Sequence, residues 1–153
     1  MSMLAGVQSV PERRDPIGGV RAPGSKQTVP AITNSEGVIA GVYQWKGRLV
    51  GFVRSRDGAV AMFSREEWRS TFVEALNEAG VVVGSYEERG RLHGFIRAKD
   101  GKIVTFDVSG AEATVPQSLD EDGAISGWYL DRGLKRGFRR DAAGGITTFE
   151  VKD

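Results

Sequence analysis

Gly90-Arg91-Leu92-His93-Gly94-Phe95-Ile96-Arg97, continuing through Asp100-Gly101 to Ile103-Val104-Thr105-Phe106, is the stretch whose reading decides the fold. The phrase occurs again upstream from Gly47 to Phe63 and downstream from Gly133 to Phe149. Working outward from it, Thr28, Thr71 and Thr114 lie 43 residues apart. On the same offset fall Gly37/Gly80/Gly123, Gly41/Gly84/Gly127, Tyr43/Tyr86/Tyr129, Gly51/Gly94/Gly137, Phe52/Phe95/Phe138, Arg54/Arg97/Arg140 and Phe63/Phe106/Phe149. Ungapped identity at so many positions establishes three tandem units, and in such arrays each unit packs on its neighbours.

Each unit reads as four short strands separated by turn signals. In the third, Thr114 to Leu119 is a first strand and Asp120-Glu121-Asp122-Gly123 a turn suited to left-handed backbone. Ala124 to Tyr129 is a second strand, Leu134 to Arg140 a third and Ile146 to Val151 a fourth. Asn34 and Asn77 stand where Asp120 stands, which supports the turn. Glycines inside the second and third strands predict close packing, with an aromatic from a neighbouring sheet as the expected cause. One stretch reads both ways. Ser64 to Glu67 has capping-box spacing, and residues 65–79 read alone form a helix. The register instead makes Thr71 to Leu76 a first strand, after a single helical turn near 65–69. Equivalent units must offer equivalent strands, so the register decides.

Residues 1–16 are read as a flexible arm and 17–153 as one β-repeat domain. Within it lie a partial strand (17–27) and repeats at 28–70, 71–113 and 114–153. The 21 glycines fit many tight turns. The 21 basic and 20 acidic side chains are interspersed, for a net charge of +1, which gives no basic field for nucleic acid. No apolar run approaches the length of a membrane span, and the start shows no signal peptide. With no cysteine and one histidine there is no metal signature and no expected cofactor. His93 has no catalytic partner that spacing identifies. No nucleophile elbow, phosphate loop or dinucleotide fingerprint is present.

The units resemble the HAF-type repeats of bacterial, often secreted, proteins. The corresponding pieces are Ile125-Ser126-Gly127-Trp128-Tyr129, His93-Gly94-Phe95, Thr147-Thr148-Phe149 and the turn Leu76-Asn77-Glu78-Ala79-Gly80. The resemblance covers residues 28–153. It departs in having histidine in one unit only and no visible export signal. It implies β-propeller blades and carries no activity that transfers residue by residue.

The expected fold is therefore all-β: three four-stranded blades in an open array that closes by oligomerisation, two chains making a six-bladed ring. Three blades alone are too few for a ring and leave two apolar faces wet. A β-trefoil or β-prism, which closes within one chain, is the alternative. Function in repeats sits on variable positions of one face. The repeated Arg54, Arg97 and Arg140 therefore read as structural, stacking on aromatics or pairing with acids. The unrepeated loop residues Trp45, Trp68, Glu87, Glu88, Arg89 and Arg132 read as a ligand-binding rim. The expected function is a non-enzymatic binding or assembly module whose partners are copies of itself and a small molecule, glycan or protein. The alternative is an enzyme working by carboxylate acid/base chemistry through Glu74, Glu87 or Glu88.

Overall fold

The computed structural model describes residues 31–150 and, before them, the backbone of Ser9–Val10 (β1), Arg13–Arg14 (β2) and Val20–Arg21 (β3). The first unit holds Ile32–Thr33 (β4), Ile39–Trp45 (β5), Arg48–Arg54 (β6) and Val60–Phe63 (β7). The second holds Ser70–Leu76 (β8), Val82–Glu88 (β9), Arg91–Arg97 (β10) and Ile103–Phe106 (β11). The third holds Ala113–Leu119 (β12), Ile125–Asp131 (β13), Leu134–Arg140 (β14) and Ile146–Phe149 (β15). Within each unit the strands pair in sequence order as an antiparallel meander. β1 joins the outer edge of the first sheet and β2 pairs with β3. The expected arm and partial strand otherwise lie outside the described residues.

The strand at 70–76 settles the ambiguous stretch in favour of the repeat register, and what precedes it is one tight turn closed by the Trp68 amide donating to the Arg65 carbonyl (3.0 Å). The sheets stack as blades. β12 packs on β8, β9 and β10, and β8 packs on β5 and β6, so the first strand of each blade lies innermost against the blade before it. Alternation along the strands puts Phe63 and Phe106 on the face turned toward the next blade, where they meet Phe95 (5.6 Å between ring centres) and Phe138 (6.0 Å). The repeated arginines complete these junctions: Arg97 lies over Phe63 at 5.4 Å and Arg140 over Phe106 at 5.1 Å. Their role is packing, as the repetition implied.

The glycine expectation needs correction. In the third strands the crowding ring comes from the fourth strand of the same sheet, Phe63 lying where a Gly51 Cβ would sit. In the second strands the Phe52 ring and the Ala31 methyl both come within 3.1 Å at Gly41, whereas backbone comes closest at Gly84 and Gly127. Register shifts at Val73/Ala75 and Pro116/Ser118 push the first strand's backbone inward. The Phe72 carbonyl oxygen would then lie 1.9 Å from a Cβ on Gly84.

Opposite the two-residue hairpins, the blades are tied by a ladder at the repeat offset. Asn34 Nδ2 donates to the Asn77 carbonyl (2.9 Å), and Asn77 Nδ2 donates to the Asp120 carbonyl (3.2 Å). In the other direction, the Glu78 carboxylate accepts from the Ser35 amide (3.1 Å) and the Glu121 carboxylate from the Glu78 amide (3.0 Å). Each Asn also accepts amides of its own turn through Oδ1, Asn77 from Val81 at 3.0 Å.

The expectation of two wet faces holds at one end only. On the far face of the first sheet Tyr43, Val50, Phe52 and Val60 are fully buried. At the other end Phe149, the counterpart of the buried Phe63, is 51% exposed.

Candidate functional site

Two-residue turns join the second and third strands of every blade: Lys46-Gly47, Arg89-Gly90 and Arg132-Gly133. Both central residues are left-handed, with φ of 49°, 54° and 52° at the basic positions. Holding a non-glycine residue there costs about 1 kcal/mol. A basic side chain occupies that position three times.

Between the first two of these turns lies a groove of about 560 Å³, with Trp68 as its floor and Glu66, Glu67, Glu87, Arg69 and Arg89 among its walls. Arg48 fixes its loop, donating through one guanidinium nitrogen to the Arg65 (3.0 Å) and Trp68 (2.7 Å) carbonyls. Beneath runs a stack of rings. Trp68 lies flat on Tyr86 (4.1 Å, 9°), and Tyr86 on His93 (5.1 Å, 25°). His93 Nδ1 is 2.8 Å from Asp107. Burial raises the Tyr86 phenol pKa.

Of the six expected rim residues, the groove gathers Trp68, Glu87 and Arg89 and leaves out Trp45, Glu88 and Arg132. Trp68 is 1% exposed, so its ring plugs the blade junction and offers no open face for stacking. Trp45 is half-buried edge-on against Tyr43 (6.3 Å). Arg132 is exposed on the third blade's turn, and Glu88 pairs across its hairpin with Arg91. Sequence reasoning missed the Arg48 strut, for which the second and third units carry Arg91 and Leu134. It also missed the His93–Asp107 pair. Among the described residues no hydroxyl is hydrogen-bonded to that ring, so a base and its orienter are present without a nucleophile. The described residues hold no cluster of metal ligands and no helix long and apolar enough to cross a membrane.

No family model matches the sequence, and no curated protein matches it. Two solved structures resemble the chain. One is described as a streptogramin B lyase structure, at 13% identity and TM-score 0.56, covering 87% of this chain and 43% of that one. The other is selenomethionine-substituted virginiamycin B lyase from Staphylococcus aureus, at 16% identity and TM-score 0.54, covering 82% and 42%. The fold is that of β-propeller blades. The chain spans less than half the length of either propeller.

Proposed function

We propose that this chain is a non-enzymatic assembly and binding module whose third blade is covered by the third blade of a second copy. One observation carries the reading. The residue at the repeat position of Phe149 is sealed by a following blade in the first unit, where Phe63 is 1% exposed, and open in the third, at 51%. Among the described residues the other exposed large apolar side chains are Val104 and Leu134, which are aliphatic. On the far face of the first sheet, which a head-to-tail ring would need, Tyr43 and Phe52 are already fully buried. A contact between like faces meets the need of the open end with one surface and closes on itself. The rim groove beside Glu87 and Arg89, carrying both signs of charge, is then the ligand-binding face that the assembly presents, for a small molecule, glycan or protein loop.

Light scattering across the micromolar range tests this. Wild type is expected to be dimeric and Phe149→Ser monomeric with unchanged circular dichroism, since a half-exposed residue is not needed to hold its own blade. A monomeric wild type, or a dimer indifferent to the substitution, overturns it.

Catalysis is the second reading, and one observation favours it: burial raises the Glu74 carboxyl above its ordinary pKa, the property an acid catalyst needs. A normal Glu74 midpoint by NMR titration removes that support.

A further inference from the structure

We propose that a second groove, between the second and third blades, binds an organic cation carrying an apolar body. The groove, of about 540 Å³, lies within the range that takes small molecules. Its carboxylates belong to the second blade, while Trp128 shares with Phe149 the row across Gly137 on the third.

Its walls are cross-strand pairs brought to one place by the blade stack. Phe72 pairs with Ser85 and Glu87 with Leu92, all on the sheet face turned toward the third blade. Val115 and Trp128, themselves a pair, supply the wall from that third blade. Glu74, two residues on from Phe72 and therefore on the same face, lies at the register shift between Val73 and Ala75 and lines the groove too. The first strand of the third blade has the same irregularity, with Gln117 in the equivalent place. The acid is therefore particular to this groove.

The lining is thus an aromatic and aliphatic surface with two carboxylates and no lysine or arginine. Among the described residues neither Glu74 nor Glu87 has an ion-pair partner. Partial burial raises the Glu74 pKa although the residue as a whole is exposed. The Trp128 ring already carries a cation, the Lys135 ammonium lying 4.3 Å from its centre, so its part in the groove is that of an apolar wall. An ammonium placed between the two acids, its hydrocarbon part against Phe72, Leu92 and Trp128, gives both carboxylates a counter-charge. An anion would face two like charges. A neutral ligand would leave both carboxylates uncompensated.

NMR titration of the labelled protein with 2-phenylethylammonium tests the proposal, with 2-phenylethanol and phenylacetate as matched neutral and anionic probes. The ammonium is expected to give saturable shifts at the Trp128 indole and at Phe72, Ser85 and Leu92. The neutral probe is expected to bind about tenfold more weakly, and Glu74→Gln and Glu87→Gln each to weaken the ammonium about tenfold. The shifts should persist in Phe149→Ser, which shows that the groove does not need a second copy to form. Equal binding of the three probes, indifference to both carboxylate substitutions, or no saturable shift with the ammonium overturns the proposal.

Discussion

Replacing Gly51, Gly94 and Gly137 in turn by alanine puts the blade stack to a graded test, because the same methyl is added at three repeat-equivalent positions. A Cβ on Gly51 would lie 2.3 Å from Phe63, one on Gly94 2.7 Å from Phe106, and one on Gly137 2.2 Å from Phe149. All three are far inside contact distance, so in each case the ring must move. What differs is whether it can. Phe63 is 1% exposed, wedged against Phe95 with Arg97 over its face. Expelling it forfeits the burial of a phenylalanine, and leaving it forces overpacking, so either route costs about 2–3 kcal/mol. Phe149 is 51% exposed and swings into solvent. None of the three glycines is among those with positive φ, so alanine adds no backbone strain and restricts the unfolded chain, worth about 0.4–1 kcal/mol of stability. In dilute protein Gly51→Ala should therefore lose about 2 kcal/mol by urea denaturation and Gly137→Ala should be neutral or slightly stabilised, with Gly94→Ala between them. In the proposed dimer Gly137→Ala should acquire a cost, because its phenylalanine is enclosed there. A Gly137→Ala variant as damaged as Gly51→Ala in dilute protein would show that the third blade's ring is held by something other than a following sheet, and the reasoning would fail.

Two further substitutions probe other parts of the stack. Burial pushes the Tyr43 phenol up from 10.0 to about 12. The folded state thus favours the neutral phenol, and the stability this supplies is complete below the unfolded value and is lost as pH rises through the folded one. The fall amounts to about 3 kcal/mol. Tyr43→Phe should flatten that alkaline limb in urea titrations, and an unchanged limb would count against the burial argument. Asn77→Asp exchanges a 4%-exposed amide donor for the side chain the third blade already carries at Asp120, setting a carboxylate against a carbonyl oxygen. The expected loss is about 1–3 kcal/mol, read in the same assay, whereas Asn77→Gly at no greater loss would show the inter-blade bond to be idle.

The strands were legible because a period of 43 residues shows itself directly, and it overrode a local helical pattern at 65–79 that propensity alone would have favoured. Blade stacking was legible for the same reason, as was the packing role of the repeated arginines. The sites were much less so. Trp68 has Ala111 as its counterpart in the next unit, and nothing in a loop tryptophan's sequence neighbourhood says whether it turns inward to lie on Tyr86. His93 meets Asp107 across fourteen residues because β10 and β11 are in register from Gly94 and Phe106 onward, a juxtaposition that needs the pairing and not the motif. Glu74 looks like an ordinary solvated acid, because its place beside Phe72 in a groove shared with the third blade needs the blade stack.

The ladder lies between these cases. Once blades stack in constant register, residues one period apart become neighbours, so the series Asn34/Asn77/Asp120 and Ser35/Glu78/Glu121 can be read as contacts. Each series has one exception, and the two fall at opposite ends. Asp120 lacks the amide that would reach forward to another blade, and Ser35 lacks the carboxylate that would reach back. A seam joining the third blade of one copy to the first blade of another would therefore form neither of the bonds that tie the internal junctions. The open aromatic face at Phe149 asks for cover while the polar edge beside it is unfitted for a head-to-tail successor. A like face, which brings its own Phe149 and makes no demand on the ladder, satisfies both conditions.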